Sequence, residues 1–274
     1  MRRKSLGSVA LHAALALGAI ITLAPLAWMV SASFMAPGEA NTLPPRFLPR
    51  HPTFENYVAL FTRLDLARHF LNSALVTTTA MVASVVLTSM AGYAFAKLPF
   101  PGRERLFRRL ALAMVVPAQV GMLPLFLLLR ELGLVNTYVG VIIPYLASVL
   151  GIFMIRQYVL SIPDDLLDAA RVDGAGEFRI FWAVALPIIR PILVTLAAFT
   201  FLNAWNDFMW PLIILSDSTK YTLPVALANL VGEHVQDTEL MMAGSVLAVL
   251  PALMVFLVFQ RTYVRGIMAG SVKG

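Results

Sequence analysis

The sequence predicts an all-α, polytopic membrane protein with six transmembrane helices and a shaped loop on the cytoplasmic side. Three observations carry that prediction. First, 59% of the 274 residues are hydrophobic and only 13% are charged, with a mean hydropathy of +0.79. A soluble domain needs about a quarter of its residues charged. Second, the charges cluster, leaving charge-free runs between Lys4 and Glu39, Arg68 and Lys97, Arg109 and Arg130, Glu131 and Arg156, and Glu239 and Arg261. Each run approaches or exceeds the roughly 20 residues that cross a bilayer as a helix. Third, the runs are continuously apolar rather than alternating, which excludes a membrane β-barrel.

Taken in order, the first predicted helix spans 9–30. Arg2, Arg3 and Lys4 precede it as they would precede a leader peptide, but its apolar run exceeds the roughly 7–15 residues of one, so a retained helix is expected. A proline-rich segment, 31–69, follows; Thr53 ahead of Glu55 in "PTFENY" predicts a short surface helix within it. Helix two spans 70–96. The basic connector 97–109, "KLPFPGRERLFRR", reads as a topology anchor. Helices three and four span 110–129 and 138–157. Helix five, 188–212, reaches membrane length only by including Asp207. Segment 213–239 predicts a short helix followed by a polar loop. Helix six spans 240–260, and 261–274 form a tail. The whole chain, 1–274, reads as one transmembrane domain.

Lysine and arginine set the orientation. With the N-terminus inside, the cytoplasmic side collects the N-terminal basic trio, the 97–109 connector, Arg156, Arg171, Arg179, Arg190, Arg261, Arg265 and Lys273. The outside keeps Arg46, Arg50, Arg63, Arg68, Arg130 and Lys220. Both termini are therefore predicted to be cytoplasmic, in a multi-pass protein of the cell membrane (the inner membrane, for a Gram-negative source). The net charge of +6 reads as an orientation signal rather than a nucleic-acid footprint. There is no cysteine and hence no thiolate metal site, and the four histidines are scattered. None of the four lysines follows a glycine, so the Gly-Lys-Ser/Thr of a phosphate-binding loop is missing and the chain brings no ATPase by that motif.

The cytoplasmic loop 158–187 contains the start of "DAARVDGAGEFRIFWAVALPIIRP", residues 168–191. Its local chemistry predicts two helices joined by a tight turn. Ser161 is the expected cap of the first, with Pro163 in its first turn and Asp164 and Asp165 near its positive end. Leu166, Ala169 and Ala170 share a face at helical spacing. Gly174 can take the left-handed conformation that ends a helix. A second helix from about Ala175 puts Phe178, Phe181, Trp182 and Ala185 on one side. A mere connector needs none of this.

The stretch resembles the "EAA" loop of binding-protein-dependent ABC transporter permeases, through Asp168, Ala169, Ala170, Asp173, Gly174, Ala175, Phe178, Phe181, Leu186, Pro187 and Pro191, with Asp168 where that family usually has Glu. The resemblance continues through "FLNS" (70–73), "NAWNDFMWPL" (203–212), "YTLPVAL" (221–227) and "QRTYVRGIMAGSVKG" (260–274), similar to the maltose-type second permeases of carbohydrate uptake. It implies a transport subunit without enzymatic activity of its own. The implied partners are a second, related permease in a heterodimer, a dimeric ATPase that holds ATP and Mg, and an extracytoplasmic sugar-binding protein. It further implies that the loop docks in a groove of the ATPase, Asp168 pairing with a cation there and the small residues permitting close approach. Gly270, Ser271 and Lys273 in the tail would reach between the ATPase subunits. For the sugar path, Gln119 and Asn203 are candidate hydrogen-bonding groups and Trp205 a candidate stacking face, with Asn206 and Asp207 beside them. An ionisable residue within a membrane span is a functional candidate by default, so the alternative is a secondary transporter with Asp207 as its ion-coupling carboxylate.

Overall fold

The computed structural model describes residues 6–44, 46–233 and 237–271. All regular structure among them is helical: α1 Leu6–Ala32, α2 Glu55–Arg63, α3 Leu66–Lys97, α4 Arg103–Ala113, α5 Ala118–Glu131, α6 Tyr138–Ile142, α7 Val149–Leu160, α8 Asp164–Val172, α9 Glu177–Ile180, α10 Leu186–Ile188, α11 Arg190–Asn206, α12 Met209–Ile214, α13 Leu223–Glu233 and α14 Thr238–Ser271. A 3-10 turn, Ile143–Tyr145, extends α6, and a π turn, Phe181–Ala185, joins α9 to α10. The chain is an all-α polytopic membrane protein.

Three helices are long and apolar enough to cross a membrane, and the number rises to six if each of three bent pairs counts as one span. The bent pairs correct the uninterrupted helices expected from hydropathy. In place of 110–129, α4 and α5 meet at 104°. Pro117, with no N–H to donate, stands at the N-cap of α5 with an extended ψ of 133°, and residues 114–117 lie outside both helices. In place of 138–157, the α6 run and α7 meet at 42°, and Ser148 caps α7 by accepting the Gly151 N–H at 3.1 Å. In place of 188–212, Glu177–Ile188 and Arg190–Asn206 meet at 83°, and α11 stops at Asp207, whose backbone is extended. Pro25, Pro124 and Pro251, by contrast, lie inside continuous helices. The last helix does not stop at 260 but runs on to Ser271.

The chain packs as two compact units. One comprises residues 1–68 and 226–251, the other 69–225 and 252–274. In the first unit α1 exposes Leu15, Ile20, Ile21 and Leu23 by 58–66%, as a helix facing lipid does. The proline-rich segment after it is held by side chains. Asn56 of α2 is buried and donates to the Ser33 and Met35 carbonyls at 3.0 and 2.9 Å, and buried Glu239 accepts the Ala40 N–H at 2.6 Å. The expected surface helix is α2. Thr53 stands one residue before its cap and accepts from Glu55 N–H at 3.2 Å.

In the second unit α7 packs against α4 and α11. Tyr93 and Ala96 of α3, Ile155 and Val159 of α7, and Ile192 and Leu196 of α11 form a core that continues through Ile162 to Leu167 of α8 and Ile180 of α9. Burial of each such aliphatic side chain is worth about 1.5–3 kcal/mol. The loop is thus welded to the helix bundle by its inner face.

Candidate functional site

The loop begins at the end of α7. Ser161 does not cap α8, as the sequence suggested. It is the C-cap of α7, its hydroxyl donates back to the Tyr158 carbonyl at 2.6 Å, and the N-cap of α8 is Pro163. A serine directly after a helix finds that helix's unpaired carbonyls before it finds the next helix's N–H groups. Asp164 and Asp165 do lie in the first turn of α8. At its other end Gly174 adopts φ 79°, with its N–H on the Arg171 carbonyl and the Ala175 N–H on the Ala170 carbonyl, both at 3.0 Å. These two bonds are the Schellman pattern.

The inward-facing residue of α8 is Leu167, fully buried, whereas Leu166 is 47% exposed. Ala169 faces solvent with Leu166, whereas Ala170 is half-buried and packs against the core, so the expected Leu166–Ala169–Ala170 face is divided between the two. The aromatic side of the second helix also splits. Phe181 and Ala185 are buried, while Phe178 and Trp182 are exposed. Neighbouring helical residues diverge by about 100°, which puts Phe181 and Trp182 on different sides. The outward surface of the loop therefore carries Leu166, Val172 and Phe178, which is apolar, beside Asp168 and Asp173.

Polar contacts brace this surface from below. Arg171 Nη1 donates to Asp168 Oδ1 at 2.5 Å and its Nε to Glu177 Oε1 at 2.7 Å, bridging α8 to α9. Tyr93 of α3 donates to Glu177 Oε2 at 3.3 Å. The Lys97 ammonium, its side chain 7% exposed, donates to the Ile162 carbonyl and to Asp164, both at 2.6 Å. Lys97 holds the exposed Asp164 carboxyl below the usual carboxylate range, chiefly through that hydrogen bond. Among the described residues, the cation paired with Asp168 is Arg171.

A second feature lies where two of the helix breaks meet the end of α11. A cavity of about 780 Å³ is lined by Ala118 and Gln119 at the start of α5, Pro144 and Tyr145 at the end of the α6 run, Asn203, Asn206 and Asp207 at the end of α11, and Trp210 of α12. The breaks of the first two bent pairs meet the C-terminal end of α11 here, whereas the break of the third pair, at Ile189, is buried in the core beside the loop. The Tyr145 hydroxyl donates to Asp207 Oδ2, and the Trp210 N–H donates to Asp207 Oδ1 at 3.3 Å. Trp210 is itself fixed by its indole N–H on the Gly140 carbonyl at 3.1 Å.

The model of the binding-protein-dependent transport system inner membrane component family matches residues 84–268, a stretch that contains both the loop and the cavity. The chain belongs to that family. Among its relatives in this family, the arabinooligosaccharides transport system permease protein AraQ of Halalkalibacterium halodurans is 38% identical over 93% of each chain. The lactose transport system permease protein LacG of Rhizobium radiobacter is 32% identical over 99% of this chain and 98% of its own. A chain of the crystal structure of a bacterial ABC transporter involved in the import of the acidic polysaccharide alginate superposes with a TM-score of 0.84. It is 25% identical, over 95% of this chain and 98% of that one. Membership in a binding-protein-dependent family gives no support to the secondary-transporter alternative built on Asp207.

Within this permease, four of the five path candidates, Gln119, Asn203, Asn206 and Asp207, line the one cavity. Trp205 does not. It is 3% exposed, packed edge-on against Phe70 at 5.4 Å and stacked on Phe201 at 5.8 Å. Its bulk serves the core. Sequence reading missed Tyr145, Lys97 and Tyr93. Tyr145 sits beside Pro144 in a run that reads as uninterrupted helix, and the proline there was the available signal. Gly270 and Ser271 lie on the last helical turn, and Lys273 lies outside the described residues.

Proposed function

We propose that this permease is the membrane subunit of an ATP-driven ABC importer for a sugar delivered by an extracytoplasmic binding protein. ATP and Mg belong to a separate dimeric ATPase. A second, related permease completes the membrane portion, both termini are cytoplasmic, and the loop 158–187 is the coupling element. The single observation that carries the reading is the architecture of that loop. A glycine-ended helix is welded to the bundle through Leu167 and Ile180 while Leu166, Val172 and Phe178 are exposed. Apolar residues gathered on a charged loop mark an interaction site, and a short helix laid in a groove is a recurrent docking mode. Docking would bring an ATPase cation to Asp168, which then shares its carboxylate with Arg171. The tail positions Gly270, Ser271 and Lys273 are proposed contacts of the same ATPase. The printed names of the relatives, for arabinooligosaccharides and lactose, support a sugar as cargo.

Purification in mild detergent with identification of the co-purifying subunits, followed by uptake assays in proteoliposomes, tests the reading. The expected result is a complex with a second permease and an ATPase whose sugar uptake needs ATP and the binding protein. A chain that purifies alone and transports without ATP would sink it.

A further inference from the structure

We propose that the cavity between two of the helix breaks and the end of α11 is a binding site for a neutral, polyhydroxylated ligand, in which Asp207 accepts the ligand's hydroxyl groups and its charge turns anionic sugars away. This rests on the reading of the chain as a sugar permease and adds where on it the sugar is held and what charge the sugar has. At about 780 Å³ the cavity is within the range of small-molecule sites. Its lining offers Gln119, Tyr145, Asn203, Asn206 and Asp207 as polar groups, and Met122 and Leu125 as apolar ones. A sugar has the same division into hydroxyl edge and CH face.

The hydrogen bonding fits acceptance from hydroxyls. A carboxylate has about four lone-pair sites. On Asp207 the Tyr145 hydroxyl and the Trp210 N–H take one on each oxygen, which fixes the group and leaves the others open. A side chain so held loses little freedom when a ligand binds. One N–H of the Asn206 amide is committed to the Leu202 carbonyl at 2.8 Å, which orients the group and leaves its oxygen as an acceptor and its second N–H as a donor. Discontinuous membrane helices commonly frame such sites, because a broken helix supplies polar groups within an apolar surrounding.

The charge argument is separate. No lysine, arginine or histidine is among the described residues lining the cavity. An anionic group placed about 5 Å from Asp207 therefore meets a like charge without a compensating cation. In partly polar surroundings that repulsion corresponds to discrimination on the order of a hundredfold. A neutral sugar gains charge-assisted hydrogen bonds at the same place.

The test uses the assembled transporter, with its partner subunits, and exploits the absence of cysteine from this chain. Asn203→Cys places one maleimide target at the cavity wall. The probes are arabinotriose, lactose and diacetylchitobiose, with trigalacturonate as the anionic counterpart, supplied to the complex without binding protein. At least one neutral probe should slow labelling roughly tenfold, and trigalacturonate should not. Adding Asp207→Asn, whose oxygen can keep the Trp210 N–H while its NH2 donates to the Tyr145 hydroxyl, should raise the half-protecting concentration of the neutral probe roughly tenfold and let trigalacturonate protect. ATP-driven uptake of a neutral probe, with labelling unaffected by every probe, would place the site elsewhere and overturn the proposal while leaving the sugar-permease reading intact. Protection by trigalacturonate in the presence of Asp207 would overturn the charge filter. Failure of every probe in ATP-driven uptake would remove the sugar reading and this site with it. Should the Asp207→Asn complex fail to assemble, the protection pattern at Asn203→Cys alone decides.

Discussion

Two glycines show what a single residue can and cannot disclose in the sequence. Gly174 was legible. It follows a polar helix at the distance where a left-handed residue is wanted, and its φ is 79°, with open space where a Cβ would stand. Strain there comes from the backbone alone. Gly174→Leu should cost about 1–2 kcal/mol and lower ATP-driven uptake, whereas Gly174→Asn, a residue that tolerates this conformation, should lose less of both. Melting of the purified complex and uptake at matched membrane levels check the order, and equal, near-wild-type values for both would mean that the turn is incidental. Gly92 was not legible, because its constraint comes from a helix far away in sequence. A Cβ there would lie 2.5 Å from Ile155 Cγ2 and 3.2 Å from the Arg156 backbone nitrogen. Ile155 is fully buried and cannot swing aside. Gly92→Ala should therefore destabilise by about 1–3 kcal/mol, visible as a lower melting temperature.

The elements are legible where one face or one charge pattern decides them and obscure where continuity decides. Hydropathy locates every apolar run but cannot show that three of them are broken, since lipid and protein interior make the same demand on a side chain. Pro117 carries a usable signal, yet from sequence alone it suggests no more than a kink. Adjacent leucines separate the two jobs of α8. Leu167→Ala removes a fully buried side chain and should cost about 2–5 kcal/mol. Leu166→Ala, on the exposed side, should leave stability within about 0.5 kcal/mol yet weaken recovery of the ATPase subunit with the permease. Reversal of that pattern would assign the outer face to the core. The anchor at the start of α8 also has a pH signature. The Asp164 carboxyl is held low by Lys97, so its folded pKa lies under the unfolded value of about 3.9. Its contribution is present above that unfolded value and is lost as pH falls through the folded one. Hydrogen exchange of the α8 amides should be unaffected by Asp164 ionisation between neutral and mildly acidic pH. Any loosening due to this pair should begin only below the ordinary carboxylate range, and it should be absent in Asp164→Asn, already loosened at neutral pH.

At the scale of the whole molecule, the class of protein is legible in the charge gaps and its expected orientation in the distribution of lysine and arginine, because a bilayer imposes both on the chain globally. Convergence is not legible. Nothing along the sequence brings Gln119, Tyr145 and Asp207 together, since each is separated from the next by a helix or more and they meet only where two breaks pack against the end of α11. Orientation leads to the last prediction. The positive-inside asymmetry puts the loop that carries Gly176 in the cytoplasm and the segment that carries Leu48 outside. Both positions are exposed, Leu48 by 77%, so an introduced cysteine at either is reachable from its own side and the chain's lack of native cysteine leaves no background. In intact cells an impermeant maleimide should label Leu48→Cys and spare Gly176→Cys. In inside-out vesicles the pattern should reverse. Labelling of Gly176→Cys from outside would turn the apolar face of Leu166, Val172 and Phe178 away from any ATPase, and the coupling role proposed for the loop would fall with the topology.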